Sequence, residues 1–291
     1  MARRLALILG SSGQLARALQ SCESGFEATA LGRPVLDLTD PRSVRDAIAK
    51  TAPALVINAA AYTAVDKAEE EPDAAFAVNE TGAAAAADAA EKAGAAFFHV
   101  STDYVFDGQL GRPYTEEDAP HPAGVYGKSK YAGETAVAAA HPEAVIVRTS
   151  GVFDDEGRNF VRAVAGRLIE AGEANVVADQ TLNPTFAPDL AAAIFKLAEA
   201  RLEGAAEPGL YHAAGAGDAS WFEVGEAIAD EVRRLGHEAS VSPTTTEAWG
   251  APAPRPADSR LDCSKLREAA GIALPAWRDA IARCVASVKP A

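Results

Sequence analysis

LALILGSSGQLA, residues 5–16, is an apolar run of strand length that breaks into a glycine turn and resumes with helical spacing at Ala16 and Leu19. Strand, glycine turn and helix in that order convert a pair of glycines from noise into a dinucleotide-binding signal. Gly10 permits the tight turn. Gly13 lets a pyrophosphate approach the backbone where unpaired N–H groups and the helix dipole favour anions, and the small Ala16 stands where close helix–strand packing needs a small side chain.

Working outward, residues 26–31 read as the next strand and end in Gly32-Arg33. An NAD site usually places an acid there for the ribose 2'-hydroxyl, whereas arginine suits a 2'-phosphate, so the expected cofactor is NADPH with NADH as the alternative. Arg33 also has a plainer reading as a solvated surface residue. Residues 37–41, DLTDP, form a loop leading into a helix with proline in its first turn and Val44, Ala47 and Ile48 on its inner face. A buried strand over residues 54–58 runs into Asn58-Ala59-Ala60-Ala61, whose small side chains let a cofactor lie against the backbone. An alanine-rich helix over residues 73–92 ends at Gly94, and a fourth strand over 95–100 delivers Ser101-Thr102-Asp103-Tyr104 at the sheet edge where α/β proteins bind ligands.

The next helix carries VYGKSKYAGE, residues 125–134, with Tyr126 and Lys130 four apart and hence on one face. An ammonium about 4 Å from a phenolate, at an effective dielectric of about 20, stabilises it by roughly 4 kcal/mol. That is about three pH units, which would bring a phenol from pH ~10 toward neutrality and make it a usable acid for a carbonyl.

Beyond residue 144 the pattern continues with strands at 144–149, 175–177 and 209–213 and helices at 160–171, 189–200 and 221–235. The expected fold is a Rossmann-like, doubly wound parallel α/β sheet, with a smaller C-terminal lobe. Residues 1–150, with part of 173–212, form the cofactor unit, and 151–291 mainly the substrate lobe. Proline is dense at Pro252, Pro254 and Pro256, a composition typical of linkers. Arg255, Ser259 and Arg260 at its end are donors suited to a diphosphate, Arg255 above all, and Trp249 and Trp277 are read as packing residues.

A net charge of −14 and a pI near 4.8 count against nucleic acid or an anionic membrane as partner. The opening MARRLALILGSSG is too short in its apolar run for a secretory signal, and no run approaches the ~20 residues that span a bilayer, so a cytoplasmic location is expected. The three cysteines and five histidines show no metal-ligand spacing, and no metal site is expected from them.

The glycine turn, Asn-Ala-Ala-Ala after the third strand, Ser-Thr after the fourth and Tyr-x-x-x-Lys on the following helix together resemble the extended short-chain dehydrogenases/reductases. Within that superfamily NAAAYTAVDKAE (residues 58–69), STDYVFDG (101–108), VYGKSKYAGE (125–134) and RPADSRLD (255–262) are similar to the dTDP-4-dehydrorhamnose reductase family. The resemblance covers nearly the whole chain. It implies reduction of the 4-keto group of a dTDP-linked ketosugar, with Thr102, Tyr126 and Lys130 as the catalytic triad and Lys130 also holding the nicotinamide ribose. Gly10, Ser12, Gly13, Gln14, Leu15, Arg33, Asp37, Leu38, Asn58, Ala59, Ala60, Ala61 and Tyr62 complete the cofactor set. Thr102, Asp103, Tyr104, Gly151 and Arg255 form the substrate set.

Dehydratases of the superfamily carry an acidic pair after the threonine, but here Asp103 is followed by Tyr104. Two departures from the family pattern stand out. Gly151 replaces the usual aromatic after Arg148-Thr149-Ser150, which bears on the sugar accepted. Ala18 replaces a glutamate through which some members dimerise around magnesium, so that metal-bridged dimer is not expected, and monomer and homodimer stay open. Two alternatives accompany the reductase: an enzyme for another nucleotide-linked 4-ketosugar, and a non-catalytic NADP-binding regulatory subunit of the same fold.

Overall fold

The structure is a computed structural model and describes residues 3–288. Apolar on both faces, β1 (Arg4–Leu9) belongs in the middle of a sheet covered by helices on both sides, and Ala6 through Leu9 are fully enclosed. The turn at Gly10 leads into α1 (Gln14–Ser21), then β2 (Phe26–Leu31), α2 (Pro41–Thr51) and β3 (Leu55–Asn58). Asp40 caps α2 by accepting from the Arg42 amide, and Pro41 opens it, as the sequence predicts.

The alanine-rich stretch is helical in pieces: α3 (Val65–Ala68), α4 (Pro72–Phe76), a π-helical segment over Ala77–Gly82, and α5 (Ala83–Ala93) with Gly94 left-handed at its end. Next come β4 (Ala96–Thr102), a 3-10 turn over Asp103–Val105, α6 (Val125–Ala140) and β5 (Val145–Thr149). The remainder comprises β6 (Val152–Phe153), α7 (Phe160–Ala171), β7 (Glu173–Val177), β8 (Thr181–Leu182), β9 (Thr185–Phe186), α8 (Ala187–Leu202) and β10 (Gly209–His212). It closes with β11 (Ala219–Ser220), α9 (Trp221–Arg234), β12 (Ser240–Thr244), α10 (Thr246–Trp249), α11 (Ser264–Ala270) and α12 (Trp277–Ala286).

Six strands form one parallel sheet in the order β2-β1-β3-β4-β5-β10. The chain reverses direction across the sheet between β1 and β3, which opens a crevice at their C-terminal ends. One face is packed by α1 and α8 and the other by α2, α5 and α6. A separate core gathers α7, α9 and α12 around Trp277, which is a packing residue as expected.

One expected strand lies elsewhere. Residues 175–177, expected to continue the parallel sheet, form β7, which pairs with β12 in a two-stranded ribbon of the C-terminal region. The sheet edge is taken by β10 instead. The reason lies in burial: β7 carries only two enclosed residues, Val176 and Val177, which is too little for a central strand covered on both faces.

Candidate active site

Gly10 adopts φ +100°, a conformation that favours glycine, and its amide donates to the Leu31 carbonyl at 2.8 Å. A side chain here would sit 3.2 Å from the Ala60 amide, so the loops after β1 and β3 meet at this glycine. No side chain caps α1 at Gly13, and residues 11–13 are exposed, leaving first-turn N–H groups to an anion. This cradle fits a dinucleotide pyrophosphate. Ser12 is exposed at its mouth, Gln14 donates to the Val152 carbonyl at 3.4 Å, and Leu15 is enclosed in the core. Arg33 is exposed just past β2, beside Gly32, which packs on Ser11 of the turn. Among the described residues it has no ion pair.

Several expected cofactor ligands have other work. The Asp37 carboxylate accepts from the amide and hydroxyl of Thr39, which holds it below the usual carboxylate range. Leu38 is enclosed in the core, and the Tyr62 hydroxyl donates to Glu71 at 2.8 Å. Asn58 is buried, accepting from the Ala60 amide at 3.2 Å and facing His99 Nδ1 at 3.1 Å. These side chains shape the loops; Ala59, Ala60 and Ala61 leave half-exposed backbone along the crevice.

Thr102 ends β4, and Tyr126 and Lys130 come from the first turns of α6, so the three meet at the C-terminal sheet edge. Glycine at the N-cap gives α6 no side-chain cap. Glu69, 56 positions earlier, supplies one by accepting from the Val125 amide at 2.8 Å. Thr102 Oγ1 donates to Asp103 at 3.0 Å, accepts from the Tyr104 amide at 3.2 Å, and faces the Tyr126 phenol. The Tyr104 and Tyr126 rings stand edge to face at 5.7 Å.

Lys130 does not tune Tyr126 as expected. Lys130 Nζ donates to the Val100 carbonyl at 2.6 Å and lies 3.3 Å from His99 Nε2, beneath β4. Burial raises the Tyr126 phenol well above its ordinary value, with Thr102 as the opposing influence. Burial also lowers Lys130, to about 8. Desolvation dominates because both groups are enclosed while the cation is spent on a backbone carbonyl.

Asp103, expected to touch substrate, is buried and saturated by hydroxyls: Thr102, Ser150 at 2.7 Å and Ser259 at 2.6 Å. It ties β4, β5 and the RPADSRLD segment together. Arg255 is likewise engaged, forming two parallel bonds of 2.9 Å with Asp66, and Arg260 pairs with Asp258 and Asp218. The donors expected for a diphosphate are therefore satisfied within the protein. Gly151 sits at φ +51°, and a side chain there would come 2.4 Å from Leu182 Cδ1. Leu182 fills the room that the family's aromatic would need.

From Tyr104 a groove of about 680 Å³ runs into the C-terminal region, lined by Phe160, Arg167, Trp221, Trp249 and Arg255 among others. Trp249, expected to pack, is 61% exposed on this groove. Arg167, exposed there with no ion pair among the described residues, went unnoticed in the sequence, where it reads as an ordinary charge on an amphipathic helix. His99 escaped for the opposite reason, as a lone histidine inside an apolar strand.

A doubly wound parallel sheet with a glycine-turn cradle and Thr, Tyr and Lys gathered at its C-terminal edge defines an oxidoreductase of the short-chain dehydrogenase/reductase class. Residues 4–289 match the family model for the RmlD substrate binding domain. The dTDP-4-dehydrorhamnose reductase of Sinorhizobium fredii is 42% identical over 284 residues, 96% of this chain and 95% of that protein. That of Streptomyces griseus is 42% identical over 94% of this chain and 91% of its own. A solved dTDP-4-dehydrorhamnose reductase from Bacillus anthracis, in complex with NADP, superposes with a TM-score of 0.91 at 35% identity, covering 99% of this chain and 100% of that one. The chain belongs to the dTDP-4-dehydrorhamnose reductase family.

Proposed function

We propose that this protein reduces the 4-keto group of dTDP-4-dehydro-L-rhamnose to dTDP-L-rhamnose with NADPH, as a step of nucleotide-sugar biosynthesis in the cytoplasm. The observation that carries the reading is the opening of the groove at Tyr104, beside Thr102 and Tyr126, with a volume suited to a nucleotide sugar. Residues 1–150 with α8 and β10 serve the cofactor, and the rest mainly the sugar nucleotide. NADPH held along Gly10 to Gly13 supplies the hydride. Thr102, once its single O–H turns from Asp103 to the carbonyl oxygen, orients that oxygen, and Tyr126 holds the proton that the alkoxide takes. A phenol whose pKa is raised by burial is fully protonated at neutral pH, and an alkoxide is basic enough to take its proton. Lys130 positions the nicotinamide ribose. Arg167 and Trp249 are placed for the diphosphate and the base.

Among the described residues no group of three or more His, Cys, Asp or Glu could hold a metal, and Ala18 is buried on α1. The active unit is a monomer or a homodimer. Leu182 beneath Gly151 favours one second reading, a different nucleotide-linked 4-ketosugar as substrate.

The test is NADPH oxidation, followed at its absorbance band, with and without enzymatically prepared dTDP-4-dehydro-L-rhamnose. Substrate-dependent loss is expected. Binding of NADPH with no oxidation would overturn the proposal, and turnover of another ketosugar alone would install the second reading. Replacing Arg33 by alanine should raise the KM for NADPH about tenfold, the weight of one charge-assisted contact at an exposed site, and leave that for NADH unchanged. Equal effects on both cofactors would remove Arg33 as the partner of the 2'-phosphate.

A further inference from the structure

Behind the cofactor crevice lies a buried chain of three side chains, Asn58 at the end of β3, His99 on β4 and Lys130 on α6, each almost fully enclosed. Asn58 faces His99 Nδ1 at 3.1 Å, and His99 Nε2 faces Lys130 Nζ at 3.3 Å. Its direction is fixed from one end. The Ala60 amide donates to Asn58 at 3.2 Å, and a backbone N–H is always a donor, so the Asn58 carbonyl oxygen must point toward Ala60. The Asn58 NH₂ then points at His99 Nδ1, which must be the bare nitrogen. A neutral imidazole with bare Nδ1 carries its proton on Nε2, and that N–H is aimed at Lys130.

An ammonium has only donors, so it meets this N–H badly, whereas an amine can accept from it with its lone pair and still donate to Val100. We propose that His99, locked in the Nε2–H tautomer by Asn58 and the Ala60 amide, acts on Lys130 as a hydrogen-bond donor and favours its neutral form, so that this chain sets the charge of the lysine. His99 and Asn58 are then positioning residues for the reductase proposed above, and the inference rests on that reading only for its kinetic consequence.

Other groups near Lys130 act in known directions. Glu134, one turn along α6, favours the ammonium, but Arg148 from β5 takes that carboxylate in two bonds. From the π-helical segment, Asn79 offers only neutral bonds, to Ser129 and Tyr62. His99 is itself held neutral by burial and by Lys130. The lowering of Lys130 to about 8 agrees with this balance. The Ala60 amide belongs to the loop that touches Gly10, so the chain begins at the cofactor cradle.

The test uses protein labelled with ¹⁵N at histidine, without cofactor, at pH 7. His99 should show a bare Nδ1 and a protonated Nε2; the opposite tautomer overturns the proposal whether or not the enzyme turns over. Asn58→Asp supplies an acceptor to Nδ1–H and should invert the tautomer, turning Nε2 into an acceptor for the ammonium. The alkaline limb of kcat should then move up by about one pH unit. His99→Gln, which can present its oxygen to Lys130, should move the limb the same way should the aspartate variant fold poorly. A limb that stays in place in the folded variants overturns the proposal, and an inactive wild type with the expected tautomer counts against the reductase reading alone.

Discussion

Replacing Tyr126 by phenylalanine is expected to lower kcat by about 10²–10⁴-fold, the range for losing a positioned general acid, while the affinity for NADPH and the melting temperature hold. Phenylalanine keeps the ring and its edge contact with Tyr104 and removes only the hydroxyl facing Thr102. Steady-state kinetics beside a cofactor titration check both halves. A rate within a factor of a few of wild type would remove Tyr126 as proton donor. The pH dependence separates the two enclosed groups. With its pKa raised, the Tyr126 phenol stays protonated through acid and neutral pH, so it produces no loss there. Lys130 is lowered to about 8, so its ammonium disappears as pH rises through that value, and an alkaline decline near 8 belongs to the lysine.

Glu134→Ala is expected to cost about 3–5 kcal/mol of stability, because it leaves a buried guanidinium without its counter-charge. Arg148 bonds Glu134 at 2.9 and 2.6 Å, both side chains are at most 6% exposed, and the guanidinium lies 5.0 Å from the centre of the Phe106 ring. Denaturant unfolding measures the loss. Replacing both partners together, Glu134→Leu with Arg148→Met, should recover most of it, since apolar side chains of similar volume need no counter-charge. A single-variant loss below about 1 kcal/mol, ordinary for exposed pairs, would mean that water reaches this site.

How far the sequence carried depended on the range of the interaction. Gly10 and Gly13 announce the cradle because strand, turn and helix are contiguous, and the strand over residues 26–31 falls where the sequence places it. Tyr126 and Lys130 were legible as neighbours on one helix. The destination of the lysine was not, since it depends on His99 and the Val100 carbonyl of another element. Arg255 looked like a phosphate fork because Asp66, its partner, lies 189 positions away. The ribbon of β7 and β12 was hidden because β12, SVSPT, is mostly exposed and carries proline, so no apolar run marks it. Local chemistry is written in adjacent residues; long-range pairing of charges and edge strands is not.

The meeting of Thr102, Ser150 and Ser259 on Asp103 bears on the order in which the protein becomes functional during its synthesis. Ser259 stands 156 positions after Asp103. A growing chain on the ribosome completes the glycine turn and the first five sheet strands long before that serine emerges. Until it docks, the buried carboxylate lacks one of its three hydroxyl donors and the threonine beside it is not yet fixed. The hydroxyl set that holds Asp103 is thus completed only when synthesis is nearly finished, so a chain terminated before residue 259 would keep the threonine and both sheet strands and lack the last donor that fixes the carboxylate beside it.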